Sequence, residues 1–333
     1  MEAKIIGLDY QGRGIAKIDN VVTFIYNALE NEIVEFKIIK ENKTFNEAKT
    51  IKIIKASTDR VSPICPYYEI CGGCDLMHMN YDSQLKFKEN KVKDTINKIA
   101  KFDVLVKPII KAAETLNYRN KITFHISNSR IGYYEKKSND FIEINQCLTC
   151  DSNINNLINE IKKIDLTKVT NITIRNSKNT FENMVILETK CDIDTSNLKS
   201  FSSVYLKIND QYVLKSGSSK ISEKMNELTF NISPSAFFQV NTVQAIKLYD
   251  KVKEYAELTG SENVLDLYCG TGSIGLYLAS KAKHVYGIEI NENAIKDAIE
   301  NNKINKISNA DFLALNANQF LDKIHVKIDV LIV

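Results

Sequence analysis

The chain has 333 residues, of which 44% are hydrophobic and 26% are charged, and its formal net charge is +3. This length and composition exclude a disordered chain and a small disulfide-stabilised fold, and they predict roughly two to four domains. No apolar run reaches the roughly 18–20 residues of a membrane span, and the first residues lack the apolar core of a signal peptide. We therefore expect a cytoplasmic protein with no membrane partner.

Residues 1–58 predict a small β-barrel of the OB type. Short segments there alternate apolar and polar positions at a spacing of about ten residues. The turn at residues 9–14 (DYQGRG) contains two glycines, which suits a backbone with positive φ. Such a barrel is either a structural module without a function of its own or a surface that binds RNA.

Residues 59–90 predict a metal-binding segment. In a cytosolic chain clustered cysteines indicate a metal site rather than disulfides. The glycine pair at 72–73 would let the backbone wrap closely around a bound centre. Cys147 is the best candidate for a fourth ligand, with Cys150 and His78 as alternatives, and the spacing does not decide between a [4Fe–4S] cluster and zinc. The competing interpretation is a set of unrelated buried thiols. The first three candidate ligands are Cys65, Cys71 and Cys74.

Residues 91–232 predict a central α+β domain, with strands within 118–145 and 168–232 and a helix at 151–163. Before it, residues 84–100 predict an amphipathic helix. Its apolar face comprises Leu85, Val92, Ile96 and Ile99. Ten Lys and Arg residues and four acidic residues lie between Gln84 and His125, a net charge of +6. This stretch is either a solvated surface or one that faces phosphates.

Residues 233–333 alternate strictly between strands and helices, which predicts a parallel Rossmann-like sheet. The whole chain is therefore expected to be a multi-domain α/β protein. The predicted helices of this part are 273–281, 292–302 and 317–323. Its predicted strands are 263–268, 284–290, 311–316 and 328–333.

A glycine-rich loop follows the first of these strands. Gly270, Gly272 and Gly275 form a G-x-G-x-x-G array between a strand and a helix, and Glu289 follows nineteen residues after the first glycine. The spacing fits a site for either NAD or S-adenosylmethionine. Asp266 in the strand, and the position of the loop far from the N-terminus, favour S-adenosylmethionine. Cys269 within the loop is expected to be a small buried side chain rather than a nucleophile.

Together these stretches resemble the S-adenosylmethionine-dependent RNA uracil-C5 methyltransferases that carry a TRAM domain and a [4Fe–4S] cluster. The resemblance spans nearly the whole chain. It is carried by the segments GLDYQGRGIAK, CPYYEICGGCDLMHMNYDSQLKFK, NYRNKITFHI, SPSAFFQVN, VLDLYCGTGSIGLYLA and YGIEINENAIKDAIENN.

The resemblance implies roles for individual residues. Gln239 matches the glutamine that contacts the cofactor, Tyr268 the aromatic residue beside it, and Glu289 the acid at the ribose hydroxyls. Asn316 matches a position near the adenine. The barrel matches the TRAM module, to which RNA binding is ascribed. The matched ligands of an iron–sulfur cluster are Cys65, Cys71, Cys74 and Cys147.

The resemblance also implies the reaction and shows where this sequence departs from the family. In the family a cysteine adds to uracil C6, and a carboxylate base later removes the C5 proton. The segments with that cysteine and base follow the strand that matches IDVLIV, and they do not occur in these 333 residues. No catalytic residue is therefore assigned, and we expect a truncated sheet and an inactive chain.

Three functions remain open from the sequence. The first is a monomeric methyltransferase acting on a uridine of ribosomal or transfer RNA. The second is a catalytically dead protein that binds RNA and an iron–sulfur cluster. The third, an NAD-dependent oxidoreductase with an iron–sulfur centre, rests on the glycine pattern alone.

Overall fold

A computed structural model describes residues 1–136, 138–316, 318–319 and 325–333. The chain forms two compact units, the first comprising Met1–Thr115 with Tyr133–Ile144 and the second Leu116–Gly132 with Asn145–Val333. Within the described ranges, no helix is long and apolar enough to cross a membrane. The predicted domain boundaries at 58, 90 and 232 remain an interpretation.

The N-terminal part of the first unit is a six-stranded sheet. Its strand order is β1-β5-β6-β4-β3-β2, and only the β4–β6 pair is parallel. Apolar residues at alternate positions fill its core, among them Ile25, Val34 and Phe36. The prediction of a β-rich N-terminal part is confirmed. The strands are β1 (Glu2–Lys4), β2 (Gly7–Leu8), β3 (Gly14–Ile18), β4 (Val21–Tyr26), β5 (Ile33–Glu41) and β6 (Phe45–Lys55).

Helix α1 (Tyr81–Asp94) begins at Asn80, whose side chain accepts a hydrogen bond from the Ser83 amide, and continues into a π-helical turn (Thr95–Ile99). The predicted apolar face is buried only in part. Leu85 and Ile96 are half-buried, whereas Val92 and Ile99 are exposed. The periodicity is thus a poor guide to burial here, because it identifies a face without supplying the partner that would cover it.

The central sheet of the second unit has the strand order β13-β12-β11-β10-β7-β8. Its pairs are antiparallel except for β11–β12. Helix α2 (Ser152–Ile161) buries four apolar side chains. The last two residues of β8, and all of β9, belong to the first unit. The strands are β7 (Lys121–Ser127), β8 (Arg130–Tyr134), β9 (Phe141–Glu143), β10 (Val169–Asn176), β11 (Asn183–Thr189), β12 (Ser203–Ile208) and β13 (Gln211–Gly217).

A hairpin of β14 (Ile221–Met225) and β15 (Leu228–Ile232) leads to helix α3 (Thr242–Ala256) and then to a parallel sheet. That sheet has the order β18-β17-β16-β19. It confirms the predicted Rossmann-like part with four strands, of which the first three are each one residue shorter than expected and the last spans three of the six predicted residues. The predicted helix 317–323 lies outside the described residues. The elements are β16 (Asn263–Leu267), α4 (Ser273–Ala279), β17 (His284–Glu289), α5 (Glu292–Ile304), β18 (Ala310–Ala314) and β19 (Val330–Ile332).

One apolar core joins the central and parallel sheets. Met184 of β11 and Tyr205 of β12 belong to the same buried cluster as Val264 of β16 and Phe312 of β18. The second unit is therefore one packed body, and the glycine-loop site described next lies entirely within it.

Candidate functional site

The glycine loop connects the end of β16 to the start of α4. Three of its residues adopt positive φ: Tyr268 at 61°, Gly270 at 55° and Gly272 at 76°. This backbone makes a tight turn whose amides precede a helix N-terminus, an arrangement that suits a polar or charged ligand. Asp266 is buried in β16, and its carboxylate accepts a hydrogen bond of 2.9 Å from the Gly275 amide.

The two central glycines of the loop face different surroundings. A Cβ atom at Gly272 would lie 2.7 Å from the Phe312 ring and 3.1 Å from the Ala298 side chain. A Cβ atom at Gly270 would meet nothing within 4 Å. Gly272 is thus required by packing against β18 and α5, whereas Gly270 leaves open space for a ligand close to the backbone.

Glu289 ends strand β17 beside the glycine loop. The two strands run parallel, with Leu267 opposite Ile288, and the Cys269 amide donates a 3.0 Å hydrogen bond to the Ile288 carbonyl. The Glu289 carboxylate accepts a 2.9 Å hydrogen bond from the Asn291 amide and is half-buried. This arrangement leaves carboxylate lone pairs for hydroxyl donors of a ligand at the carboxyl edge of the sheet.

Burial sets the ionisation of the two titratable side chains under the loop. Burial raises the pKa of the Asp266 carboxyl to about 7, against the lowering effect of the Gly275 amide. Burial also raises the pKa of the Cys269 thiol well above its ordinary value, and the nearby Asp266 and Glu289 charges act in the same direction. Cys269 is therefore a protonated, buried thiol without nucleophilic character.

The loop at 233–241 is held by buried side chains from α5, from β10 and from the residue just before β7. The Ser233 hydroxyl donates a 2.6 Å hydrogen bond to Asp297 of α5, and Arg175 of β10 donates one of 2.7 Å to the Ala236 carbonyl. Asn120 donates through its side chain to the Gln239 carbonyl at 2.9 Å and through its amide to the Val240 carbonyl at 2.8 Å. We call these side chains, Asp297, Arg175 and Asn120, the clamp of the loop. The sequence did not predict the clamp, because its residues lie far from the loop along the chain.

The same loop presents one of its two adjacent phenylalanines to solvent. Phe238 is buried, whereas Phe237 is 71% exposed, and Gln239 is half-buried. Phe237 was not singled out from the sequence; the signal was a pair of aromatic residues outside any strand, of which only one can point into the core.

Helix α3 follows this loop and contacts the start of α4. The Tyr249 hydroxyl and the Ser273 hydroxyl are 2.8 Å apart. The loop with Gln239 leads into α3, and the glycine loop with Tyr268 leads into α4. These two helices contact each other next to the glycine loop. Tyr268 itself is 69% exposed.

Asn316 lies two residues beyond the end of β18. Its side chain accepts a 2.9 Å hydrogen bond from the Gln319 amide, and its own amide donates to the Gln319 side chain. The predicted contact of Asn316 with adenine stays a prediction.

The cysteines of the predicted metal segment are half-buried thiols. Cys65, Cys71 and Cys74 lie in the first unit and Cys147 in the second. The Gly73 amide donates to the Cys71 sulfur at 3.4 Å, the kind of contact that tunes cluster-bound thiolates. Across the residues that are described, no three His, Cys, Asp or Glu side chains are gathered as a metal site. The [4Fe–4S] ligand set therefore stays a prediction.

The two alternative fourth ligands, His78 and Cys150, are both buried. His78 is buried, and its Nδ1 atom is hydrogen-bonded to the Tyr68 hydroxyl. Cys150 is buried, and a hydrogen bond with its thiol lowers the pKa of Cys147 to about 5.

Comparisons with known proteins agree with this geometry. A TRAM domain model matches residues 1–51, and a methyltransferase domain model matches residues 258–333. A Staphylococcus aureus (strain MRSA252) protein named as an uncharacterized RNA methyltransferase is 36% identical over 95% of this chain and 78% of its own length. A Staphylococcus epidermidis protein with the same description is 35% identical over 93% of this chain and 76% of its own length.

A solved structure matches over the entire chain. The Pyrococcus abyssi tRNA (uracil-54, C5)-methyltransferase in complex with S-adenosyl-L-homocysteine superimposes with a TM-score of 0.83 and 27% sequence identity. The match covers 100% of this chain and 83% of that protein.

Proposed function

This chain belongs to the S-adenosylmethionine-dependent RNA methyltransferases with an N-terminal TRAM domain, and on that premise we propose that its target is C5 of a uridine in ribosomal or transfer RNA. The observation that carries the proposal is the loop at 233–241, which presents the exposed ring of Phe237 two residues before Gln239. The likeness to a tRNA (uracil-54, C5)-methyltransferase over the full chain supports the same target.

The cofactor is held by residues of both loops. Gly270 lets the ligand approach the backbone, and the Glu289 carboxylate accepts hydrogen bonds from the ribose hydroxyls. Tyr268 lies beside the cofactor, and the Gln239 side chain contacts it. Gly272 keeps the loop packed against Phe312 and so preserves the shape of the site.

Phe237 is the platform for the target base. A uracil in a folded RNA must leave its stack before its C5 atom can be reached. An exposed phenyl ring on a clamped loop compensates for that lost stacking without selecting a base by itself. The hydrogen bonds that Arg175 and Asn120 donate to the loop backbone hold the ring in place.

The reaction requires covalent activation of the base, because uracil C5 is a poor nucleophile. A thiolate that adds to C6 turns the C4–C5 unit into an enolate, whose C5 atom takes the methyl group from the sulfonium. A base then removes the C5 proton, and expulsion of the thiolate restores the C5–C6 double bond. We assign none of these steps to Cys269, because its thiol is buried and protonated.

The [4Fe–4S] cluster and the RNA-binding surface complete the proposal. Cys65, Cys71, Cys74 and Cys147 would hold the cluster, and half-exposed thiols with a Gly73 amide donor to the Cys71 sulfur support that set. The N-terminal sheet and the exposed lysines of α1 would bind the RNA backbone.

Two measurements test the proposed function. Calorimetric titration is expected to show binding of S-adenosylhomocysteine and none of NADH. Deleting the gene from its host is expected to remove a 5-methyluridine from the host RNA, measured by mass spectrometry of nucleosides, and restoring the gene is expected to restore it. Loss of a different methylated nucleoside, with 5-methyluridine unchanged, would overturn C5 of uridine as the target.

A further inference from the structure

The turn between β10 and β11 exposes an aromatic ring in an unfavourable backbone conformation. Phe181 has φ = 60° and is 81% exposed. A left-handed backbone is rare for a bulky side chain, and full exposure of a phenyl ring adds a second unfavourable feature. Among the described residues, no contact of this turn explains why the residue is not the Asn or Gly that its conformation favours.

The residues on both sides of Phe181 are held by hydrogen bonds to strand β14. The Thr180 hydroxyl donates to the Ser222 carbonyl at 2.6 Å, and the Glu182 carboxylate accepts from the Ser222 amide at 2.6 Å. The Asn179 side chain donates to the Lys224 carbonyl at 2.7 Å. The turn is therefore anchored to strand β14 by these three hydrogen bonds.

This turn is connected by hydrogen bonds to the loop that carries Phe237. Buried Glu223 accepts hydrogen bonds from the Lys178 amide of the turn, at 3.3 Å, and from the hydroxyl of Thr242, the first residue of α3, at 3.2 Å. Asn120 donates to the same Thr242 hydroxyl and to the Gln239 carbonyl. The turn and the loop thus share one buried polar network at one end of the central sheet.

An exposed lysine lies on the strand to which this turn is anchored. Lys224 is exposed on β14, beside the anchored turn, and its ammonium group forms no ion pair with any residue that is described. An exposed phenyl ring and an exposed ammonium on the anchoring strand match the two parts of a nucleotide, a base that stacks and a phosphate that carries negative charge.

We propose that Phe181 stacks on a base of the RNA substrate that lies near the methylated uridine, with Lys224 at the phosphate of that nucleotide. This inference rests on the proposed function, because it extends the RNA site of Phe237 along the same end of the sheet. It assigns Phe181 to substrate binding and gives it no part in the chemistry.

The backbone conformation allows stability and RNA binding to be separated. Asn tolerates positive φ, so Phe181→Asn is expected to raise the melting temperature while it weakens binding of a fluorescein-labelled RNA hairpin with uridines in its loop by about tenfold. Phe181→Trp is expected to retain the affinity, since it keeps a ring for stacking. Lys224→Gln is expected to lower the salt dependence of binding by about one charge.

Tyr255→Ala is the matched control, because Tyr255 is an exposed aromatic residue at the far end of α3, about 20 Å from the loop by helical rise. It is expected to leave RNA affinity unchanged. Equal RNA affinities of the wild-type chain, Phe181→Asn and Phe181→Trp would overturn the inference and leave the proposed function standing. A wild-type chain that binds S-adenosylhomocysteine but no RNA would overturn both.

Discussion

The Gly275 amide donates a 2.9 Å hydrogen bond to the buried carboxylate of Asp266, nine residues earlier in the chain. This contact joins strand β16 to the first turn of α4 and so closes the glycine loop from beneath. The Asp266 carboxyl group therefore lies at the N-terminal end of α4, where the partial positive charge of the helix stabilises its ionised form. The loop conformation is thus held by a group whose ionisation is strongly affected by burial.

The stability of the second unit should depend on pH through Asp266. Because burial raises the pKa of Asp266 from 3.8 to about 7, the folded chain keeps this proton while the unfolded chain loses it. Stability is therefore greatest at low pH and falls as pH rises through that window, by up to about 4 kcal/mol. Thermal unfolding of Asp266→Asn should lack this slope, and Asp210→Asn, at an exposed turn, should retain it. Parallel curves for the wild type and Asp266→Asn would contradict the assignment.

The two central glycines should separate binding from folding. Gly270→Ala places a methyl group in open space and costs roughly 1 kcal/mol of stability through its positive φ, but it should weaken S-adenosylhomocysteine binding at least about tenfold. Gly272→Ala meets Phe312 and should destabilise the fold by about 2–4 kcal/mol. Melting temperatures and calorimetric titrations distinguish the two. Unchanged cofactor affinity in Gly270→Ala would show that the ligand lies elsewhere.

Glu289→Gln should weaken cofactor binding without loss of stability. The amide can still accept the Asn291 hydrogen bond, but it loses the charge that strengthens hydrogen bonds from ribose hydroxyls. We expect affinity for S-adenosylhomocysteine to fall about tenfold in calorimetric titration. Glu292→Gln, in the first turn of α5, removes the same charge nearby and should leave the affinity within about twofold. Similar losses in both variants would indicate a general electrostatic effect.

Asn120→Ala should loosen the loop at 233–241. The variant loses the hydrogen bonds to the Gln239 carbonyl and the Thr242 hydroxyl, at an expected cost of about 1–3 kcal/mol. Asn153→Ala removes a 2.7 Å hydrogen bond to Asn176, the last residue of β10, without touching the loop. Both variants should melt earlier, but only Asn120→Ala should also weaken S-adenosylhomocysteine binding. Equal binding in the two variants would separate the clamp from the cofactor site.

The cysteine set can be tested by iron analysis. Protein purified without oxygen is expected to contain iron and acid-labile sulfide, and Cys71→Ser and Cys147→Ser should lose both. Cys191→Ser is the control, since Cys191 is a half-buried thiol outside the predicted ligand set. Iron retained in Cys71→Ser, or its loss in Cys191→Ser, would contradict the set.

Local sequence patterns predicted the parts of the site that depend on neighbours in the chain. The order of strand, glycine loop and helix, and the acid at the end of the next strand, follow from spacing around Gly270 and Glu289. The β-rich character of the N-terminal part was likewise visible as alternation, although the number and order of its six strands were not. These features are local because a turn, a period and a helix start are each set within a few residues.

The remaining parts of the site depend on contacts between distant segments. Asn120 reaches Gln239 across 119 positions, and Arg175 reaches Ala236 across 61. Spacing cannot show such pairs, nor which ring of the Phe237–Phe238 pair faces outward. The same reason explains why Val92 and Ile99 are exposed although they belong to the predicted apolar face, since periodicity identifies a face and does not supply its partner.

The core shared by Met184, Tyr205, Val264 and Phe312 has a consequence for how this enzyme family can vary. The parallel sheet does not fold independently of the central sheet, because side chains of the central sheet complete its apolar core. In addition, Arg175 and Asn120 donate hydrogen bonds to the loop at 233–241. Unfolding of either sheet should therefore take the other with it in one cooperative transition. Substitutions in the core of the central sheet, far from any reacting atom, are then expected to shift the loops that hold the cofactor and the RNA.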